Sequence, residues 1–255
     1  VKGGFALKKQ AHVMIATPMY GGMCSGYYTQ SLIQTAMMCA NKGIKMSFAA
    51  MFNESLIQRG RNALARQFMQ SDATHLFFVD ADIRWNFDDV RTMIEADKDI
   101  ICGIYPKKEI NWEGVSRAAK DGVETQNLRG YSGALVVNLV DYKGTTTVAR
   151  DTPVEIWNGG TGFMCIKREV MEKLAELVPV YNNDVVDLSG QMAAGDKITE
   201  YFACSIEEGT NRLLSEDYHF CMVARKHGFK VYAAPWVHLG HMGSYLFEGG
   251  LLPAK

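Results

Sequence analysis

LFFVDADIRW, residues 76–85, decides how the chain is read. Leu76, Phe77, Phe78 and Val79 read as a strand that is apolar on both faces, and such strands belong to sheets covered on both sides. The strand then delivers two carboxylates, Asp80 and Asp82, one residue apart. In extended chain, residues two apart point to the same side. An unpaired buried carboxylate is costly, and two close together repel each other. The pair therefore predicts a cation at the end of this strand. Solvated loop aspartates are the plainer alternative.

Outward from that strand, helices and strands alternate. HVMIATP (12–18) reads as a buried strand ending at Pro18 and a Gly21-Gly22 loop, and residues 27–41 as a helix stopped by Asn41 and Gly43. KMSFAAMF (45–52) is a second strand, 55–70 a helix, and HLFFVDAD (75–82) the third strand. A short helix over 87–97 starts from Asn86 as N-cap, and DIICGIYP (99–106) closes at Pro106. This alternation predicts the α/β class: one domain over residues 1–255, with a mostly parallel central sheet and flanking helices. In such sheets ligands gather at the carboxyl ends of the strands.

The second half is less regular. GALVVNLV (133–140), VEIWN (154–158) and GFMCIK (162–167) read as strands, with 168–177 a helix. Residues 180–210 have weak periodicity and read as a mobile loop region. Residues 216–227 read as a helix from Ser215, and FKVYAAPW (229–236) as a last strand. The chain thus reads as one domain with a nucleotide-type first half, about 12–106, and an elaborated second half, about 130–248.

The 255 residues suffice for a sizeable core. A formal net charge of −1 gives no global field to draw in nucleic acid or an anionic membrane. The 6 cysteines include no CxxC pair, which argues against a structural zinc site and for free thiols in a reducing, cytoplasmic setting. No apolar run is long enough to span a membrane. The opening VKGGFALKKQ is basic, but its apolar segment is too short for a signal peptide.

Further motifs invite chemistry. In RGRNALARQF (59–68), the helical period predicts a buried stripe of Leu56, Ile57, Gly60, Ala63, Leu64 and Phe68. It places Arg59, Asn62 and Arg66 on a polar face, with Arg61 flanking the stripe. An arginine there would suit a diphosphate or simply face water. Gly159-Gly160-Thr161-Gly162 is a turn that lets backbone approach a ligand closely, or a plain tight turn. Glu216 and Asp217 open a helix, where acids are ordinary, yet a general base would also fit there. His238 and His241 follow the last strand as core caps or metal ligands.

Taken in order, the Thr-Pro strand end, Arg-Asn helix, Asp-x-Asp, Gly-rich turn, Glu-Asp and C-terminal His resemble the GT-A fold glycosyltransferases. The likeness is to family-2-like enzymes of bacteria, phages and large viruses, and it runs over about residues 12–248. The resemblance implies that Asp80 and Asp82 bind Mn²⁺ or Mg²⁺ and the donor diphosphate, with His241 as a further metal ligand. It implies that Thr17, Pro18 and Tyr20 line the nucleoside, that Arg61 and Asn62 approach the nucleotide, and that Gly159, Gly160, Thr161 and Gly162 sit beside donor sugar and acceptor. Asp217, beside Glu216, matches the base of inverting members. Tyr-Phe-Ala-Cys (201–204) lies where some relatives carry a further Asp.

The implied reaction moves a sugar from a UDP- or GDP-sugar to a hydroxyl of a glycan or other acceptor. Lys107-Lys108 and Arg225-Lys226 leave a modified DNA base open as acceptor. If the source is viral, the expected location is the host cytoplasm. A nucleotidyltransferase is the nearest rival, but TPMYGGMCSGYY (17–28) carries no Lys or Arg where such enzymes offer a basic loop. A non-catalytic nucleotide-sugar or glycan-binding protein is the other.

Overall fold

The computed structural model describes residues 11–135, 137–140, 149–184 and 193–244. Seven strands build the central sheet: β1 (His12–Met19), β2 (Lys45–Phe52), β3 (His75–Val79), β5 (Ile100–Cys102), β6 (Val154–Ile156), β7 (Phe163–Lys167) and β12 (Val231–Ala233). Their order is β2-β1-β3-β7-β5-β12-β6. β1 pairs in parallel with β2 and β3, and β5 with β12, while β7 runs antiparallel between β3 and β5 and β6 antiparallel on the edge. Five strands thus share one direction, so the sheet is mostly parallel. Short strands complete the set: β4 (Ile83–Arg84) pairs with β13 (Gly240–His241), β8 (Val180–Asn182) with β9 (Lys197–Thr199), and β10 (Ser205–Ile206) with β11 (Leu213–Leu214).

Strand alternation explains the unbroken apolar runs. Met14, Ala16, Leu76 and Phe78 face one core, which α2 (Ile57–Gln70), α5 (Arg168–Ala175) and α6 (Glu216–Lys226) cover with Leu64, Phe68, Leu174 and Phe220. Val13, Ile15, Phe77 and Val79 face the other, which α1 (Gly26–Lys42) and α3 (Phe87–Glu95) cover with Tyr28, Val90 and Met93. Each face of a strand is therefore buried, which only a sheet sandwiched between helices allows.

Several expectations change. The strand read over 133–140 is not continuous: Gly133 and Leu139 make isolated bridges to Ile110 and Ile156, and residue 136 lies outside the described residues. Leu135 and Val137 are exposed, while Leu139 packs against the core, so only part of that apolar run reaches it. Residues 180–210 carry β8, β9 and β10 rather than one loop, and 185–192 lie outside the described residues. Ile198, Tyr201 and Phe202 are buried there and anchor the segment to the core. The strands read over 99–106 and 229–236 shorten to β5 and β12. A helix at Trp112–Lys120, α4, was not foreseen; Asn111 caps it by accepting from Gly114 N–H.

The predicted helix stripe of α2 also shifts. Leu56 and Ile57 are exposed, whereas Arg61 and Asn62 are buried, at 3% and 2% exposure. Both side chains find hydrogen-bond partners, the carboxylates of Asp80 and Glu216 for Arg61 and the Phe202 backbone for Asn62, which is what permits them inside.

Candidate active site

The two aspartates stand where β3 meets a reversal of direction. Because β7 runs antiparallel to β3, the start of β7 lies beside the end of β3, and Asp80 N–H donates to the Gly162 carbonyl at 3.0 Å. A tight turn follows, with Ile83 N–H on the Asp80 carbonyl. β4 then pairs with β13, and Met242 N–H bonds the Asp82 carbonyl at 2.8 Å. That ribbon brings His241 to Asp82 from far along the chain.

The cation that the sequence demanded is partly supplied by the chain itself. Arg61 Nη2 donates to Asp80 Oδ1 at 2.9 Å, and Arg61 Nε to Glu216 Oε1 at 3.1 Å. The guanidinium also lies over the Phe78 ring. Burial opposes its charge, but the carboxylates of Asp80 and Glu216 outweigh that, so Arg61 stays protonated. Its third nitrogen, Nη1, is buried with no partner among the described residues. A buried donor left unpaired is costly, so this arginine is held inside by its two carboxylate partners and not by a full set of hydrogen bonds.

Asp82 has a different set. Lys108 Nζ sits 2.5 Å from Oδ2, and His241 Nε2 is 3.5 Å from Oδ1. The other ring nitrogen of His241, Nδ1, lies 2.8 Å from the Pro106 carbonyl and donates to it. Burial works against the Asp82 charge, yet hydrogen bonds from His241 and Lys108 hold its carboxyl down at about 2. Burial likewise works against protonated His241, and the Asp82 contact outweighs it and raises its pKa. With Nδ1 tied to a carbonyl, neutral His241 directs the Nε2 lone pair at the Asp82 side, an arrangement usual for a metal-ligating imidazole.

Two clefts meet at this acidic wall. One, of about 570 Å³, is lined by Pro18, Tyr20, Ser25, Glu54, Arg61 and Glu216 among others. The second, of about 710 Å³, is lined by Tyr105, Lys107, Lys108, Asp217, Tyr218 and His241 among others. Asp80 and Asp82 line both. Consecutive residues at the start of α6 divide between the clefts, Glu216 to the first and Asp217 to the second. Asp217 Oδ1 accepts from Ser215 Oγ and from Tyr218 N–H at 2.8 Å, so the carboxylate is held in one orientation.

The remaining candidates differ in their surroundings. The Thr17 hydroxyl is buried and bonds Tyr28 Oη at 2.6 Å. The Asn62 amide is spent on the backbone of Phe202, donating to its carbonyl and accepting from its N–H, each at 2.9 Å. At Gly160 and Gly162 a Cβ would stand 2.3 and 2.7 Å from Tyr105 Oη, so these glycines make room for a phenol. A Cβ at Gly159 would meet Cys102 Sγ at 2.3 Å. Thr161 is buried, and its hydroxyl has no partner among the described residues. His238 is exposed and lines neither cleft.

Among the described residues, no group of three or more His, Cys, Asp or Glu side chains stands ready around one point for a metal. Asp82 and His241 form a pair at the separation of two ligands on one ion, while Asp80 is turned to Arg61. The residues thus fit a divalent ion held by two protein donors and completed by substrate oxygens, as such ions often are. Sequence reasoning missed Tyr105 and undervalued Lys108. Both follow β5, and the only signal available was their place after a strand's carboxyl end.

All six cysteines are unpaired, four of them buried. No helix among the described residues is long and apolar enough to cross a membrane.

No protein-family model matches the chain, and no curated protein matches it. Solved structures that it resembles include A197 from STIV, at 17% identity over 91% of this chain and 86% of that one, with a TM-score of 0.49. Another is GalNAc-T7, solved with UDP, GalNAc and Mn²⁺, at 9% identity over 92% of this chain and 44% of that one, with a TM-score of 0.48. A third is the inositol-1-phosphate CTP transferase from T. maritima, at 10% identity over 92% and 90% of the two chains, with a TM-score of 0.42. The chain spans less than half the length of the GalNAc-T7 chain it matches.

Proposed function

We propose that the chain is a glycosyltransferase that moves a sugar from a nucleotide-sugar donor to an acceptor hydroxyl, with inversion. The observation that carries this reading is the wall of Asp80 and Asp82 shared by two clefts. A donor in one cleft and an acceptor in the other would meet across it.

The donor belongs on the side of Pro18 and Tyr20, whose rings offer flat apolar surface to a nucleoside; Tyr20 is 75% exposed. Among the described residues that line this cleft, Arg61 is the one cation, against the carboxylates of Glu54, Asp80, Asp82 and Glu216. An anionic diphosphate needs more positive charge than this. Mn²⁺ or Mg²⁺, held by Asp82 and His241, would supply it and stabilise the charge developing on the leaving diphosphate. Arg61, fixed by Asp80 and Glu216, would add its own positive charge beside the same group.

On the other side Asp217 takes the proton from the acceptor hydroxyl as it attacks the anomeric carbon. Its Oδ1 is held by Ser215 and Tyr218, which leaves Oδ2 for the acceptor. Glu216 holds Arg61 rather than the acceptor. The acceptor is a glycan or another hydroxyl compound.

The test is a panel of nucleotide sugars with Mn²⁺, read by thermal shift and then by release of nucleoside diphosphate. At least one donor is expected to bind and to release its nucleoside diphosphate. Release of pyrophosphate from a nucleoside triphosphate and a sugar 1-phosphate, with no turnover of any nucleotide sugar, would overturn the reading in favour of nucleotidyl transfer.

A further inference from the structure

Asp82 is the residue on which the proposed cation and an internal cation compete. Its Oδ2 is taken by Lys108 Nζ at 2.5 Å, and its Oδ1 faces His241. We infer that Lys108 is a resident counter-cation that a divalent ion must displace from Asp82, so that ion binding releases the ammonium into the acceptor-side cleft. This rests on the assignment of Asp82 and His241 as the ion's protein ligands.

Three features support the exchange. First, a divalent ion and an ammonium on one carboxylate repel each other strongly at such separations. Both cannot share Asp82 as closely as Lys108 now holds it. Second, the backbone that carries Lys108 is pinned on both sides: Lys107 N–H bonds the Ala134 carbonyl, and Asn111 N–H the Ser132 carbonyl, each at 2.9 Å. Only the side chain has to move. Its side chain is 45% exposed, so its new position is open to water. Third, its stem is guided. A Cβ at Gly243 would stand 3.0 Å from Lys108 Cγ and Cδ, so the lysine runs directly over that glycine. Lys108 already lines the cleft that holds Asp217 and Tyr218, so its ammonium stays there once it lets go of Asp82. Released Lys108 would offer an unpaired positive charge on the acceptor side only when the ion is in place, which favours acceptors carrying negative charge.

Mn²⁺ alone, titrated into the whole chain and followed by the spectroscopic signal of free Mn²⁺, tests this without any turnover. Lys108→Gln removes the competitor. Lys107→Gln removes the same charge from the exposed neighbour, which makes no contact with Asp82. Lys108→Gln is expected to bind Mn²⁺ about two- to fivefold more tightly than wild type, the range for losing one exposed ion pair. Lys107→Gln should change affinity much less. Equal affinity in wild type and Lys108→Gln, or equal gains in both variants, would overturn the competition while leaving the ion site standing. No Mn²⁺ binding by any of the three proteins would overturn the ion site itself, and the competition with it.

Discussion

Gly160 and Gly162 leave room for one phenol. The Tyr105 hydroxyl accepts from Gly162 N–H at 3.3 Å, and its ring meets His241 edge-on at 5.2 Å. Gly160→Ala would place a methyl 2.3 Å from that hydroxyl and 3.0 Å from the ring carbon bearing it. The phenol must then shift, and with it the packing around His241. Gly160→Ala is expected to lower the melting temperature and weaken Mn²⁺ binding, and Tyr105→Phe on the same chain to recover part of both. A double variant no better than Gly160→Ala alone would mean the clash lies elsewhere. At this scale Asp80 and Asp82 were legible because two charges after a buried strand break the local pattern. Tyr105 and Lys108 were not, because their importance comes from contacts with Gly160 and Asp82, well separated from them in sequence.

Helix α2 shows what periodicity can and cannot place. Its hydrophobic pattern located the element, but put Leu56 and Ile57 inside and Asn62 outside. Asn62 is instead a buried clamp on the Phe202 backbone, and Arg61 is drawn inward by Asp80 and Glu216. Pattern rules count apolar residues and have no knowledge of a partner carboxylate or carbonyl that arrives from another element. Asn62→Ala leaves a buried N–H and a buried carbonyl unpaired, at a cost of about 2–4 kcal/mol. Chemical denaturation is expected to show that loss, with donor affinity little changed in the folded fraction. A loss of donor affinity without loss of stability would return Asn62 to the nucleotide. Strands β1 and β3 were readable because each carries apolar residues on both faces, and β2 because its apolar run is flanked by clear helices. The 133–140 run was misread because it too is apolar, yet part of it lies exposed.

The first residue of β3 carries a pH-dependent contribution to that element. Burial, with help from the Lys167 charge, pushes His75 down to about 4. The unfolded chain has it near 6.5. Between those values the unfolded state binds more protons, so stability falls as pH drops from about 6.5 to about 4. Melting temperatures recorded across that window should fall less in His75→Gln than in wild type. Parallel curves would show that His75 titrates normally in the fold.

Across the whole molecule, the sheet sets a division of labour. The parallel strands end on one side, and the antiparallel β7 returns the glycine turn to the same side. The start of α6 then places Glu216 in one cleft and Asp217 in the other. This larger arrangement depends on strand order, which the sequence does not spell out; the insertion of β7 between β3 and β5 has no local signal. The account rests most heavily on Asp217 acting on the acceptor side and not on the donor. The direct measurement is donor affinity by calorimetry beside nucleoside diphosphate release, in wild type and Asp217→Asn, with Mn²⁺ and a donor taken from the screen. The account predicts near-equal donor affinity and a release rate lower by about 10²–10⁴-fold, the usual cost of losing a general base. Unchanged release by Asp217→Asn would contradict it.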